Sequence, residues 1–220
     1  MFDAVIFDWD GTLADSWEAI LASFHSALRE VLGIDVEDEF IKRRIGVGAA
    51  WTFREILRAR GLPADDQVIR SLVSVKVRVA IQEAGKVKLF PGALELLESL
   101  NGKVKMGLAS MNNRAVIDTL LDSLGVSQFF TAVVTVDEVT VSKPDPQIFL
   151  KTAQKLATIP EKCVVLEDSI FGVKAAKAGN LACIAVIQGA YSREELADAK
   201  PDIIVNSLRE KDGILRYISH

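Results

Sequence analysis

Four short polar groups have the residue types to do chemistry together. The first is Asp8-Trp9-Asp10-Gly11-Thr12, where two carboxylates stand one residue apart after the apolar run Ala4 to Phe7. The second is Ser110-Met111-Asn112-Asn113, after "VKMGLA". The third is Ser142-Lys143-Pro144-Asp145-Pro146, and the fourth is Glu167-Asp168-Ser169, after "CVVL". Each alone has an ordinary explanation. Asp, Asn and Ser end strands and cap helices, and Asp145 before Pro146 reads as an N-cap with proline at the first helical position. Capping does not account for the set. On a continuous strand Asp8 and Asp10 would point to one side, and like charges that close push one pKa up. Several carboxylates gathered at one rim call for a cation, and a hard divalent ion such as Mg²⁺ suits oxygen ligands. Lys143 and Ser110 add an ammonium and a hydroxyl. The N–H groups opening a helix after Ser110 add donors aimed at an anion. Metal on one side and ammonium on the other is a set that reads phosphate.

Those groups need elements to bring them together. After the first strand, Trp17, Ile20, Leu21, Phe24, Leu28, Val31 and Leu32 follow helical spacing, with Ser16 as N-cap and Gly33 as stop. Further helices fit "AAWTFREILRARG" and Asp65 to Glu83. From Val87 onward short apolar strands alternate with amphipathic helices. The strands are expected at Val104–Ala109, Ala132–Val136, Cys163–Leu166, Ala182–Ile187 and Asp202–Val205. That alternation predicts a parallel α/β sheet, and ligands bind such sheets beyond the carboxyl ends of the strands. The expected fold is a Rossmann-like parallel-sheet core, residues 1–15 plus 87–220, with a small helical-bundle cap, residues 16–86, inserted after the first strand. Hinges are expected near Asp15–Ser16 and Lys86–Leu89.

Composition removes several classes. Half of the 220 residues are hydrophobic, enough for one sizeable core, and the net charge of −4 carries no basic patch for nucleic acid. No apolar run reaches the roughly 20 residues of a membrane helix, and the N-terminus lacks the regions of a secretory signal. A cytoplasmic protein with no membrane or nucleic-acid partner is expected, as monomer or homodimer. With only His25 and His220 available, histidine-rich zinc sites and histidine phosphotransfer are disfavoured. Cys163 and Cys183 lie in apolar runs and read as buried small hydrophobes, a disulfide being the alternative. Catalysis must rest on carboxylates, Ser/Thr and Lys.

Taken in order, "DWDGT", Ser110, Lys143 in "SKPDP" and "LEDS" resemble the signature of the haloacid dehalogenase superfamily, over essentially the whole chain. The helical insertion resembles the cap of its subclass I, and "EDSIFGVKAAKAGN" resembles the phosphoglycolate phosphatase and β-phosphoglucomutase branch, closer to the latter. The resemblance implies a Mg²⁺-dependent phosphatase of small phosphorylated metabolites. Asp8 would be the nucleophile, forming an aspartyl phosphate, and Asp10 the general acid and base. Lys143 would neutralise Asp8. The metal set would be Asp8, Asp10 through its carbonyl, Asp168 and, through water, Glu167. Ser110, Met111, Asn112, Lys143 and Thr12 would bind the phosphoryl group, Thr12 also supporting the turn that aims Asp10. From the cap stretch "KRRIGVGAAWTFRE", Arg43, Arg44, Gly46, Gly48, Trp51 and Arg54 are the substrate-contact set. Alternatives are a phosphomutase of the β-phosphoglucomutase kind, a haloacid dehalogenase, which generally lacks the second acid, and a non-catalytic relative, which often loses the nucleophile or the acid.

Overall fold

A computed structural model describes residues 1–219. Its centre is a six-stranded parallel sheet in the order β5-β4-β1-β6-β7-β8. These strands are β1 (Ala4–Phe7), β4 (Lys105–Ser110), β5 (Ala132–Thr135), β6 (Cys163–Glu167), β7 (Ala182–Val186) and β8 (Ile203–Val205). All four residues of β1 are buried, as a central parallel strand requires. Alternation assigns them to two cores. Val5 and Phe7 join the apolar layer on one face, and Ala4 and Ile6 the layer on the other. Helices α5 (Ala93–Leu100), α6 (Arg114–Ser123), α7 (Gln147–Lys155), α8 (Ile170–Ala178), α9 (Arg193–Asp198) and α10 (Lys211–Ser219) supply the partners for both layers.

Between β1 and β4 the chain leaves the sheet. Strands β2 (Ala14–Asp15) and β3 (Lys88–Leu89) pair antiparallel, Ala14 with Leu89 and Asp15 with Lys88. Four helices lie between them: α1 (Trp17–Leu32), α2 (Asp38–Lys42), α3 (Ala49–Ala59) and α4 (Asp66–Gln82). They form the helical cap around an apolar cluster of their own that includes Phe24, Leu28, Ile41, Phe53, Ile56 and Leu72. Asp65 caps α4 by accepting from the Val68 N–H at 3.0 Å. Gly33 closes α1 in the left-handed conformation.

Differences from the sequence expectation are small and have local causes. The short α2 carries too few residues to show a period. Ser16 stands before α1 but makes no capping hydrogen bond, because its hydroxyl is used elsewhere. Cys163 and Cys183 are buried and unpaired.

Candidate active site

The polar ends of β1, β4 and β6 meet at the carboxyl edge of the sheet. Strand β1 stops at Phe7, and the chain turns at once. The Trp9 carbonyl accepts from the N–H groups of Thr12, Leu13 and Ala14, and Gly11 takes φ +83 within this loop. The turn resolves the crowding that a continuous strand would impose. Asp8 faces Lys143, whose Nζ donates to Asp8 Oδ1 at 2.7 Å. Asp10 turns the other way: Ser16 Oγ donates to its Oδ1 at 2.7 Å, and Asn112 Nδ2 to its Oδ2 at 3.4 Å.

Lys143 is buried between two acids, Asp8 and Glu167, and donates to both. Burial alone would neutralise it, but the two carboxylates hold its pKa above the ordinary lysine value. Glu167 spends its lone pairs inside the protein. Its Oε2 accepts from Asp168 N, Ser169 N and Ser169 Oγ, while Oε1 takes Lys143. Asp168 keeps more acceptor capacity, receiving Thr12 Oγ1 at 3.2 Å. Burial pushes the carboxyls of Asp8 and Asp168 well above the usual carboxylate range, the Glu167 charge pushing the same way and Lys143 opposing it. Burial also raises Asp10, against the hydrogen bonds from Ser16 and Asn112.

Three carboxylate oxygens, from Asp8, Glu167 and Asp168, lie within 4.8 Å of one another, and all three residues are buried. A desolvated acidic cluster of oxygen donors is what a hard divalent cation requires. Two glycines confine it. A Cβ on Gly11 would stand 2.3 Å from Asp168 Oδ2, and one on Gly189 only 1.8 Å from the same oxygen. Behind them, a Cβ on Gly172 would fall 1.8 Å from Glu167 Oε1. The acids therefore sit where main chain approaches more closely than any side chain permits.

The cap closes over this edge. A cavity of about 30 Å³ lies between them, lined by Asp8 and Asp10 below and by Phe24, Arg44, Gly48 and Lys76 above. Gly46 and Gly48, both at φ +96, let the loop lie against the core, where their Cβ positions would be 3.3 Å from Ser169 Oγ and from Met111 Cε. Arg43 points away from the cavity and ties the cap to the core: its Nη1 donates to the Ala190 carbonyl at 3.1 Å, its guanidinium pairs with Glu195, and the Tyr191 hydroxyl donates to the Arg43 carbonyl at 2.7 Å. Trp51 is exposed and faces Phe171, with ring centroids 6.4 Å apart. Arg54 pairs with Asp66 on the cap surface.

Of the residues singled out from sequence, Asp8, Asp10, Thr12, Ser110, Met111, Asn112, Lys143, Glu167 and Asp168 converge, and Arg44, Gly46 and Gly48 stand over them. Arg43, Trp51 and Arg54 do not line the cavity. Ser110 is buried and its Oγ accepts from Asn112 N at 3.1 Å. Two participants were missed. Ser16 serves Asp10 rather than a helix end. Lys76 donates from α4 to Asn112 Oδ1 at 2.7 Å. A signal for Lys76 was present, since the buried side of α4 reads Ile69, Leu72, Lys76, Ala80, a lysine within a helical apolar stripe.

Known proteins similar to this chain are hydrolases and phosphatases. Residues 5–186 match the family model of haloacid dehalogenase-like hydrolases. A phosphorylated carbohydrates phosphatase of Thermotoga maritima is 30% identical over 216 residues, covering 94% of this chain and 99% of the relative. A probable phosphatase, IndB, of Dickeya dadantii is 31% identical over 216 residues, covering 95% and 91%. The crystal structure of a hydrolase from Pseudomonas syringae superposes with a TM-score of 0.89 at 27% identity, covering 98% of this chain and 99% of that one. This chain belongs to the haloacid dehalogenase-like hydrolase family.

Proposed function

We propose that this hydrolase is a Mg²⁺-dependent phosphatase of small phosphorylated metabolites that works through an aspartyl phosphate on Asp8. The observation that carries the reading is the division of labour between two neighbouring acids: Asp8 is held by Lys143, and Asp10 is turned from it onto Ser16 and Asn112. The phosphatase relatives support the same reaction class.

Asp8 attacks phosphorus as the ester P–O bond breaks, and Asp10 gives its proton to the departing oxygen. The raised pKa of Asp10 keeps that proton available. In the second half Asp10 takes a proton from water as that water attacks the phosphoaspartate, releasing phosphate and restoring both acids. Lys143 offsets the charge of Asp8, so that an anion can approach an anionic ester. Ser110, Thr12 and the N–H groups of Met111 and Asn112 complete the phosphoryl-binding set. Asp8, Asp168 and the Asp10 main-chain carbonyl would hold Mg²⁺, which when bound supplies positive charge opposite the transferring group. Glu167 stands behind them as the anchor of Lys143. Residues 1–15 and 87–220 form the catalytic core in this reading. Residues 16–86 form a lid that excludes water and hinges at the β2–β3 pair.

The test is phosphate release from a panel of phosphometabolites and from p-nitrophenyl phosphate, with Mg²⁺ and with EDTA. Release that stops with EDTA and in Asp8→Asn is the expected result. Full activity in Asp8→Asn would remove the nucleophile assignment, and isomerisation of sugar phosphates without net release would overturn the hydrolytic reading.

A further inference from the structure

Residues 188–191 follow β7 as an irregular strap beside the acidic cluster. Gln188 ties its first residue to the core: its Nε2 donates to the Thr12 carbonyl at 3.2 Å, and its Oε1 accepts from Leu208 N at 2.9 Å. The main-chain N–H groups of Gly189, Ala190 and Tyr191 have no hydrogen-bond partner among the described residues. The polar ties of that stretch run to the cap, onto Arg43, which closes α2. Arg43 Nη1 donates to the Ala190 carbonyl, the Tyr191 hydroxyl donates to the Arg43 carbonyl, and the guanidinium stands 4.6 Å from the centre of the Tyr191 ring. Glu195 receives both Nη atoms in a fork. Its Oε2 also accepts from Ser192 N in the capping box of α9, so the helix end holds the carboxylate in place for Arg43. Side-chain packing adds little beside these contacts. An open cleft of about 330 Å³ lies there, lined by Trp17, Leu21, Glu39 and Lys42 of the cap and by Gly189 and Ala190 of the strap.

The strap bears directly on Asp168. Among the described residues that side chain accepts a single hydrogen bond, from Thr12 Oγ1 at 3.2 Å. The terminal torsion of an aspartate is broad, so one such bond leaves its orientation to whatever stands against it. Gly189 stands against it, close enough that a Cβ there would lie 1.8 Å from Oδ2. We infer that Arg43 is a positioning residue for Asp168: it seats the cap on Ala190, and the strap so fixed holds the Asp168 carboxylate in the orientation that receives Mg²⁺. This rests on the metal site of the function proposed above. Cap seating and metal binding then favour each other by the same factor. A latch that only kept the lid shut would exclude water without changing the affinity for the metal. A latch that acts through Gly189 changes that affinity from outside the site.

The experiment titrates MgCl₂ into the full chain by calorimetry, without substrate, and compares the wild type with Arg43→Met and Glu195→Gln. Glutamine preserves the capping box and removes the charge that grips Arg43. A dissociation constant raised by about fivefold or more is expected in Arg43→Met. A smaller rise is expected in Glu195→Gln, which decides the matter if Arg43→Met does not fold. Phosphate release from p-nitrophenyl phosphate supplies the second readout. At limiting Mg²⁺ Arg43→Met should fall below the wild type, and saturating Mg²⁺ should restore it. Equal dissociation constants in the three proteins overturn the inference and leave the phosphatase reading standing. A loss of release that saturating Mg²⁺ leaves in place assigns Arg43 to lid closure alone and also overturns it. No Mg²⁺ binding to the wild type overturns the metal site of the proposed function and this inference together.

Discussion

Glu167 shows how much of the site depends on a residue that need not touch the ligand. Its carboxylate accepts Lys143 on one oxygen and three donors from residues 168–169 on the other. Glu167→Gln removes a buried charge and turns one acceptor into a donor. Whichever way the amide is placed, it faces a donor that then has no acceptor. Breaking a buried pair in this manner costs about 3 kcal/mol or more. A urea denaturation midpoint lowered accordingly is expected, and a midpoint equal to the wild type would show that Glu167 contributes nothing to holding Lys143. At this scale the sequence was legible where types and order were unusual together. Two acids beside a tryptophan, a lysine before proline and an acidic pair could be found without coordinates. Ser16 could not, because a serine before an amphipathic run looks the same whether it caps the helix or donates to Asp10. Trp51 and Arg54 looked like site residues because they share a segment with Arg44, but helical rotation carries them off the cavity.

At the scale of elements, α4 carries a penalty within its buried stripe. The Lys76 pKa falls from 10.5 to about 8 because burial disfavours its charge. Between these values the unfolded chain binds the proton and the folded chain releases it, so stability rises with pH across that window. Below pH 8 the native state carries the whole cost, about 3 kcal/mol for a shift of this size. Lys76→Met is therefore expected to be more stable than the wild type at pH 7, with the gain shrinking from pH 8 to pH 10.5. Thermal unfolding of both proteins across that range checks it, and a gain that does not change with pH would mean that the lysine is not desolvated. Helix periodicity gave α1, α3 and α4 close to their observed bounds, since each buries one stripe against the others. It could not say that one side of α4 continues past the cap cluster to reach Asn112, because that contact depends on how the cap sits on the sheet.

For the molecule as a whole, the sheet order brings residues 8, 110 and 168 to one edge by placing β1 between β4 and β6. Alternating strands and helices imply a parallel sheet, yet no periodicity states which strand is central. In the proposed reading a cation held by the desolvated acids at that edge stabilises the folded state. Mg²⁺ is expected to raise the unfolding temperature by several degrees when well above its dissociation constant, and EDTA to reverse the rise. The absence of any shift would argue against a metal at Asp8 and Asp168. The closeness of Gly11 and Gly189 to Asp168 has a further consequence. These main-chain segments come from opposite ends of the chain, and they grip one oxygen of the same side chain. The slot between them works as a gauge that admits a carboxylate of aspartate length. Asp168→Glu keeps the charge and adds one methylene, and it should fail as fully as Asp168→Ala in a phosphate-release assay. Restored activity in the glutamate variant would show that the gauge has slack.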